Sequence, residues 1–265
     1  MDLHLAGGAA VITGASKGIG LATARRLADD GMRVLGVART ITPEMERAVE
    51  AVVAADLATP AGVVAVADAV DAWAPAGLDL LVNNAGGIAP DGDDSGHLGG
   101  FATISDDAWQ ATLELNLLSA VRVTRALIGM LLLRGGVIVN VSSIGARAAY
   151  PPLDYGVAKA GLTNLTKALS EEYAPHGMRA VTVSPGPTHT DNWDDPASLA
   201  GELARARGLT HAEFLAAVPA GMGLSTGRLA EPGETAATIA FLASMHAANI
   251  TGIDLFVDGG ALKTI

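Results

Sequence analysis

The sequence predicts a single α/β domain in which a doubly wound, seven-stranded parallel sheet is flanked by helices. Short β-branched runs alternate with longer helical patterns, and this alternation repeats seven times along the chain. The runs are apolar almost throughout, as expected when both faces of a parallel sheet are covered. The 265 residues suit one large α/β unit, and no linker or internal repeat divides them. Residues 1–265 are therefore predicted to form one domain.

The strands are predicted from short runs rich in valine, isoleucine and leucine. Such residues favour extended backbone, and each run is too short for a helix of ordinary length. The seven predicted strands are Ala9–Ile12, Arg33–Val37, Val52–Ala55, Leu78–Val82, Val137–Val141, Arg179–Val183 and Asp254–Val257.

The longer segments between these strands are predicted to be helices, because their apolar residues recur at spacings of three and four. They supply the layers that cover the two faces of the sheet. The five predicted helices are Ile19–Asp29, Ala61–Trp73, Ser105–Leu132, Asp154–Tyr173 and Pro232–Met245.

Two stretches interrupt this alternation. Ala89–Phe101 is a loop rich in glycine and aspartate, and Thr188–Gly227 is a long insertion of small residues that we expect to contain one or two helices. Long segments of this kind in compact α/β domains usually carry function. Both follow the carboxyl ends of strands, where such sheets bind ligands. Residues 188–227 are therefore predicted to form a lid over a substrate.

The composition excludes several classes of function. The net charge is -11 and no basic stripe is present, which argues against nucleic acid as a partner. The longest apolar stretch, Ala126–Val141, is interrupted by Arg134 and is too short to span a bilayer, so no membrane partner is expected. The N-terminus resembles no signal peptide, and the absence of cysteine fits a reducing compartment. We expect a cytoplasmic protein.

No metal site is predicted. Without cysteine the usual zinc sites are excluded, and the six histidines show no ligand spacing. Asp91, Asp93 and Asp94 superficially suggest a calcium loop, but Ala102 stands where the bidentate glutamate is needed. A solvated loop is the expected structure there.

The first predicted strand is followed by three glycines, Gly14, Gly18 and Gly20, that open a helix. Glycine lets such a turn tighten and lets a diphosphate approach the backbone, while the helix N-terminus offers free N–H groups. The second strand is followed by Arg39 where an NAD site tends to have a carboxylate, and Lys17 adds a second cation. Two cations and no acid favour NADP(H) over NAD(H); the alternative is that both are solvated surface charges.

With these motifs in order, the chain resembles the short-chain dehydrogenase/reductase family over nearly its whole length. Each motif is weak by itself, but their order along the chain matches the family throughout. The matching segments are Thr13–Gly20, Asp56-Leu57, Asn83–Gly86, Asn116, Ser142-Ser143, Tyr155 with Lys159, Pro185-Gly186 with Thr190, and Val257–Gly260.

The resemblance implies a catalytic set of Tyr155, Lys159, Ser143 and Asn116. Tyr155 would exchange a proton with a substrate carbonyl or alcohol, and Lys159, one helical turn later, would also bind the nicotinamide ribose. A free phenol has a pKa of about 10, which a nearby ammonium is expected to lower. The leucines of the same helix account for its packing against the domain. Packing alone, however, does not require a tyrosine at position 155 or a lysine at position 159.

Two of these assignments leave alternatives open. The local pattern matches the catalytic serine to Ser143, whereas the common spacing to the tyrosine points to Ser142. We choose Ser143, with one residue deleted from the following loop; strand alternation then turns Ser142 the other way. The family uses Asn116 to kink its helix and hold a water that links Lys159 to solvent; the alternative is a hydrogen-bonded core asparagine.

The resemblance also implies how the cofactor is bound. Asp56 is expected to hydrogen-bond the adenine, and Thr190 to contact the nicotinamide carboxamide or a phosphate; Asn83 is interpreted as structural. The predicted cofactor-binding residues are Gly14, Ser16, Lys17, Gly18, Ile19, Gly20, Arg39, Asp56, Leu57, Asn84, Ala85, Gly86, Tyr155, Lys159, Pro185, Gly186, Thr188 and Thr190.

We therefore expect an NADP(H)-dependent carbonyl reductase, or the same enzyme working as an alcohol dehydrogenase on a small molecule. A non-catalytic dinucleotide sensor is one alternative, but such proteins tend to lose the tyrosine or the lysine. An epimerase or dehydratase of the extended relatives normally has a larger substrate domain, and an enoyl reductase usually spaces its tyrosine and lysine further apart. The resemblance also implies a homotetramer built through two long helices and the C-terminal strand.

Overall fold

The computed structural model describes residues 2–88 and 96–263. Their strands form one seven-stranded sheet in the order β3-β2-β1-β4-β5-β6-β7, and every neighbouring pair is parallel. The predicted sheet is confirmed. The strands are β1 Ala9–Thr13, β2 Arg33–Ala38, β3 Ala51–Ala54, β4 Leu80–Asn83, β5 Val137–Val141, β6 Arg179–Pro185 and β7 Asp254–Val257.

Helices cover both faces of this sheet. Ten are present in the described residues, and they include every segment predicted to be helical. They are α1 Gly18–Asp29, α2 Pro43–Ala48, α3 Pro60–Trp73, α4 Asp106–Leu113, α5 Ser119–Leu132, α6 Leu153–Tyr173, α7 Asp191–Asp194, α8 Leu199–Ala206, α9 His211–Gly221 and α10 Pro232–Ala243.

The core consists of two apolar layers, one on each side of the sheet. Helices α1 and α10 bury residues such as Leu27 and Ile239 against one face. Helices α3 and α5 bury Val66 and Leu127 against the other. Because the direction of chain winding changes between β1 and β4, a crevice opens at the carboxyl ends of these two strands.

Helix α2 is absent from the sequence prediction. Its six residues are too few to show helical periodicity, and its start is defined instead by a cap. The Thr42 hydroxyl accepts a hydrogen bond from the Met45 N–H at 3.2 Å, and Pro43 occupies the first helical position. A local capping signal was therefore the feature that could have identified it.

The predicted helix Ser105–Leu132 is present, but it is not a regular α-helix. A π-helical segment, Glu114–Leu118, separates α4 from α5. By length and composition the run Asp106–Leu132 could cross a membrane, and it is longer than the apolar stretch noted in the sequence. Val123 and Leu127 of this run are fully buried against the sheet, which is the packing of a core helix.

A buried row of polar side chains crosses three central strands beneath α6. The Asn83 amide donates to the Asn140 carbonyl oxygen at 2.8 Å, and the Asn140 amide donates to the Thr166 hydroxyl at 2.8 Å. Thr182 on β6 donates to the same hydroxyl at 2.7 Å. These contacts agree with the interpretation of Asn83 as structural, since its amide links β4 to β5.

The insertion after β6 contains α7, α8 and α9 and has a small apolar core of its own. Phe214 and Val218 of α9 are buried there against Ala200 and Ala204 of α8. Phe214 therefore anchors the insertion internally. The loop rich in glycine and aspartate, predicted for Ala89–Phe101, falls in large part at residues 89–95, outside the described residues, and so do Asp91, Asp93 and Asp94.

Candidate active site

The turn between β1 and α1 is so tight that it requires glycine. A Cβ atom at Gly20 would lie 2.1 Å from the carbonyl oxygen of Gly14. Gly14 and Gly18 have φ values of 67° and 54°, which favour glycine. The Asn84 amide donates to the carbonyl oxygens of Thr13 and Gly14 at 3.0 and 3.1 Å and braces the turn from β4. The exposed backbone and the start of α1 form a cradle suited to a diphosphate.

The neighbouring strands β2 and β3 extend the cleft away from this turn. Arg39, directly after β2, is exposed and lines the cleft. Asp56 and Leu57 follow β3, and the Asp56 carboxylate accepts a hydrogen bond from the Ala58 N–H at 3.0 Å. Within residues 2–88 and 96–263, no carboxylate pairs with Arg39, so its guanidinium is available to an anion.

The second predicted cation of this region has a protein partner. The Lys17 ammonium lies 2.8 Å from the Asp191 carboxylate at the start of α7. Thr190 lies close to the glycine turn as well, because its methyl carbon would be 3.2 Å from a Cβ at Gly18. The insertion therefore begins directly over the glycine turn. Both charged side chains of the pair are largely exposed, so the pair contributes little stability by itself.

Tyr155 and Lys159 lie on the first two turns of α6 and face the cleft. The Lys159 ammonium is buried and donates to the Val141 carbonyl oxygen at 2.8 Å. It lies 5.7 Å from the centroid of the Tyr155 ring. Burial lowers the pKa of Lys159 to about 8. The two side chains predicted to act together are thus brought together at one side of the cleft.

The expectation that the pKa of Tyr155 lies below its ordinary value is wrong for this structure. Burial raises the pKa of the Tyr155 phenol, and a hydrogen bond with Ser143 offsets only part of that rise. The physical reason is desolvation, which disfavours the charged forms of both the phenol and the ammonium. Because its pKa is raised, the Tyr155 phenol is protonated at neutral pH.

The two serines after β5 have different surroundings. The Ser142 hydroxyl is buried against α6, where it bonds the Lys159 carbonyl oxygen at 3.1 Å and the Thr163 hydroxyl at 2.9 Å. The Ser143 hydroxyl accepts the Gly145 N–H at 3.0 Å and hydrogen-bonds Tyr155. Of the two, Ser143 is the serine that shares the cleft with the phenol of Tyr155.

Asn116 occupies the centre of the π-helical segment. Its amide donates to the Thr112 carbonyl oxygen at 3.0 Å and to the Gly87 carbonyl oxygen at 2.7 Å, and its own carbonyl oxygen accepts the Gly87 N–H at 2.8 Å. A Cβ at Gly86 would lie 2.8 Å from the Asn116 carbonyl oxygen and 3.0 Å from the Lys159 ammonium. Asn116 is therefore a satisfied buried asparagine that also lies near Lys159.

The end of β6 closes the site from the side of the insertion. A Cβ at Gly186 would lie 2.8 Å from the Asp258 Cα, so the backbone passes closely over the turn after β7. The Thr188 hydroxyl donates to the Gly186 carbonyl oxygen at 2.9 Å, which fixes the start of the insertion. Thr190 then lies opposite the glycine turn.

These parts surround one cleft of about 1060 Å³. Ser143 and every predicted cofactor-binding residue except Gly20 line this cleft. Gly20 lies behind the glycine turn. Asn116 lies behind Gly87. The insertion lines the remaining part with mostly apolar side chains. Among the described residues no cluster of three or more histidine, aspartate or glutamate side chains could hold a metal ion.

Sequence reasoning missed a buried polar group at the start of α6. Asp154, directly before Tyr155, is fully buried. Its carboxylate lies 2.8 Å from the ring nitrogen of His97 and accepts the Thr112 hydroxyl at 2.5 Å. An acid at a helix start is usually an exposed partner of the helix dipole, so burial of Asp154 was not predicted. This carboxylate ties α4 and the segment before it to the start of α6.

Comparison with known proteins agrees with this geometry. A family model described as enoyl-(acyl carrier protein) reductase matches residues 14–261. The 3-oxoacyl-(acyl-carrier-protein) reductase of Vibrio cholerae is 36% identical over 267 residues, which cover 97% of this chain and 98% of that protein. The 3beta-hydroxysteroid dehydrogenase 1 of Eggerthella lenta is 35% identical over 273 residues, which cover 97% of this chain and 94% of that protein.

Among solved structures, the L-sorbose reductase of Gluconobacter frateurii in complex with NADPH and L-sorbose superimposes with a TM-score of 0.86. It is 35% identical to this chain, and the match covers 100% of both chains. The similarity therefore extends through the sheet, its helices and the insertion over the cleft.

Proposed function

Because the chain belongs to the short-chain dehydrogenase/reductase family of oxidoreductases, we propose that it transfers a hydride between NADP(H) and a carbonyl or secondary alcohol group. The observation that carries this proposal is the placement of Tyr155, Lys159 and Ser143 around one side of a cleft whose other end is the glycine turn. The four-residue spacing of Tyr155 and Lys159 supports carbonyl rather than enoyl reduction.

The residues present fit a nicotinamide dinucleotide. The glycine turn leaves no space for a Cβ at Gly20 but leaves its backbone open to a diphosphate. Asp56 and Arg39 extend the cleft toward the adenosine end, and Thr190 lies across from Gly18. When bound, the nicotinamide would supply or accept the hydride.

Ser143 and Tyr155 would bind the substrate oxygen between their hydroxyl groups. Tyr155 is protonated at neutral pH and can donate its phenolic proton to the oxygen of a carbonyl as negative charge develops there. The Ser143 hydroxyl donates a second hydrogen bond to the same oxygen and stabilises that charge. In the direction of alcohol oxidation the phenol must first lose its proton, which its raised pKa opposes.

Lys159 and Asn116 would support proton transfer at Tyr155. The Lys159 ammonium stabilises the phenolate that remains after the proton has left, and its bond to the Val141 carbonyl oxygen fixes its position. The Asn116 carbonyl oxygen and the Lys159 ammonium both lie next to Gly86, at 2.8 and 3.0 Å from the position of a Cβ there. The position of Asn116 suits a residue that orders water between Lys159 and solvent.

The cofactor preference can be tested at Arg39. We expect Arg39→Ala to weaken NADPH binding about tenfold to a hundredfold, as for the loss of a charged hydrogen bond, and to change NADH binding by less than about twofold. The reason is that only NADPH carries a 2′-phosphate for the guanidinium to bind. Titration of both cofactors by calorimetry measures the two affinities separately.

Arg25→Ala is the matched control, because Arg25 is exposed on α1 and does not line the cleft. Its affinity for either cofactor should equal that of the wild type. Equal losses of NADH and NADPH affinity in Arg39→Ala would contradict a 2′-phosphate site.

The activity itself is tested by a screen of aldehydes, ketones and β-keto esters with NADPH and with NADH. Oxidation of NADPH that depends on a carbonyl compound supports the proposal. Tight NADPH binding without turnover across the whole panel would instead favour a dinucleotide sensor.

We further propose a homotetramer, supported by apolar side chains that the described chain leaves exposed on α6 and β7. Val157 on α6 and Phe256 on β7 are such side chains, and Ile253 precedes β7. Sedimentation velocity should give a species of four times the 26.7 kDa chain mass. Phe256→Glu should reduce this mass, because it places a charge on an apolar contact. A wild-type monomer at micromolar concentration would refute the proposal.

We also propose that the enzyme works in the cytoplasm. The chain has no cysteine that would need an oxidising compartment, and its net charge of -11 suits a freely diffusing protein. Fractionation of cells that express a tagged chain tests this location.

A further inference from the structure

One charged side chain of the insertion faces the cleft among apolar neighbours. Arg207 lines the cleft together with Leu203, Leu209 and Phe214. Its backbone N–H bonds the Ala204 carbonyl oxygen at 3.0 Å, so it immediately follows the last turn of α8. A cation is favourable at a helix C-terminus. This accounts for an arginine at position 207 but not for the position of the Arg207 side chain at the cleft.

The side chain of Arg207 is held by an aromatic ring. Its guanidinium carbon lies 5.1 Å from the centroid of Phe214, whose own side chain is buried in the insertion's core. This distance is that of a cation–π contact, which uses none of the five N–H donors of the guanidinium as a hydrogen bond. Within the described parts of the chain, no carboxylate or carbonyl oxygen accepts a hydrogen bond from the Arg207 side chain.

Although the chain has 28 acidic and 17 basic residues, Arg207 has no acidic partner among the described residues, and neither have Arg25, Arg39, Arg125, Arg179 and Arg205. Among the described residues, the unpaired arginines that line the cleft are Arg39 and Arg207, while Arg25 and Arg125 are unpaired on exposed helix surfaces. The arginines that pair with a carboxylate are Arg26, Arg33, Arg47, Arg122, Arg134, Arg147 and Arg228.

An apolar path joins Arg207 to the catalytic serine. Phe214, over which Arg207 stacks, belongs to the same apolar cluster as Met222. Met222 also packs against a second cluster, which contains Ile144, the residue after Ser143. Apolar side chains therefore lie along the cleft between Arg207 and Ser143, with a cation at one end and hydroxyl donors at the other.

We propose that Arg207 selects substrates that carry an oxyanion, either a carboxylate or a phosphate, separated by an apolar segment from the carbonyl group at Tyr155. This inference rests on the proposed carbonyl reductase function and names its substrate class. A guanidinium binds such a group through two parallel hydrogen bonds.

The test compares Arg207→Gln with wild type on straight-chain oxo acids of several lengths, their methyl esters and the corresponding oxoalkyl phosphates, all with saturating NADPH. At the best chain length we expect kcat/KM for the anionic substrate to fall about tenfold to a hundredfold in Arg207→Gln, as for a lost charged hydrogen bond. The methyl ester should change by less than about twofold. Whether acid or phosphate is preferred identifies the oxyanion.

Arg205→Gln is the matched control, since Arg205 lies outside the cleft and donates to the Pro196 carbonyl oxygen at 3.0 Å. It should keep the wild-type preference for the anion. Calorimetric titration of the same oxo acids into the NADPH complex provides a readout that needs no turnover.

The outcomes distinguish failure of the inference about Arg207 from failure of the proposed reductase function. If neutral ketones and esters are reduced as well as the anionic substrates, or if Arg207→Gln slows both equally, the inference about Arg207 is overturned and the reductase function stands. If no carbonyl compound is reduced and no oxo acid binds the NADPH complex, the proposed function fails and this inference fails with it.

Discussion

Tyr155→Phe is expected to lower kcat/KM for carbonyl reduction about a hundredfold to ten-thousandfold, the range typical of a lost general acid. The variant removes the phenolic oxygen that hydrogen-bonds Ser143 and keeps the ring that packs near Lys159. NADPH affinity should change by less than about twofold, because binding depends mainly on the glycine turn and its neighbours. Steady-state kinetics and a calorimetric titration of NADPH measure these two quantities.

Tyr150→Phe provides the control for this experiment. Tyr150 also lines the cleft, where it packs with Ile144 and Met222. Its hydroxyl has no part in the proposed mechanism, so this variant should retain wild-type kcat/KM within about threefold. If Tyr155→Phe reduced carbonyl substrates at the wild-type rate, another group would have to be the acid.

Lys159→Met is expected to abolish most activity and yet to stabilise the fold at neutral pH. Burial moves the pKa of Lys159 from its ordinary 10.5 to about 8, which corresponds to roughly 3 kcal/mol against the charged form. Because the bond to the Val141 carbonyl oxygen is lost as well, we expect a net gain of about 1 to 3 kcal/mol in the free energy of unfolding at pH 7. Urea denaturation of the two proteins measures this gain.

The sign of the pH dependence follows from the direction of that pKa change. The unfolded chain holds the lysine proton up to about its ordinary pKa, whereas the folded chain releases it near 8. The folded state therefore binds fewer protons between these values, and wild-type stability should rise with pH from about 8 to 10.5. The gain from Lys159→Met should shrink over the same window, while wild-type activity should fall as the ammonium loses its charge.

Lys167→Met is the matched control two turns further along α6. Lys167 is exposed and pairs with Glu171 at 2.5 Å, so its replacement should change the free energy of unfolding by less than about 1 kcal/mol. A Lys159→Met variant that is less stable than wild type at pH 7 would show that the buried ammonium is fully compensated by its contacts.

The sheet could be predicted from sequence because its strands are buried on both faces and read as continuous apolar runs. Val137–Val141 has the same bounds in the prediction and in the structure. Helix α2 could not be predicted from the apolar pattern. It is a capped helix of about one and a half turns, which is too short to show helical periodicity. Periodicity did not indicate the π-helical segment either, because the helical pattern continues on both sides of Asn116, where only the family resemblance implied a kink.

The proposed catalytic residues could be predicted from sequence because they lie in short linear motifs. Tyr155 and Lys159 are one helical turn apart, and the glycines of the turn after β1 all lie between Gly14 and Gly20. The contacts that were missed join distant segments: Lys17 meets Asp191 and His97 meets Asp154 only after folding. The raised pKa of Tyr155 was missed for the same reason, since burial is a property of the folded state.

The π-helical segment Glu114–Leu118 has a consequence for redesign of the chain. A π turn holds one more residue than an α turn, so it acts as an inserted residue that offsets the helix by about 100°. Removing one residue there would let α4 and α5 merge into a regular helix, and Asn116 would no longer meet the backbone of Gly87 on both sides. Redesign toward an ideal helix would therefore gain local regularity and lose the contacts that hold Asn116 against Gly87.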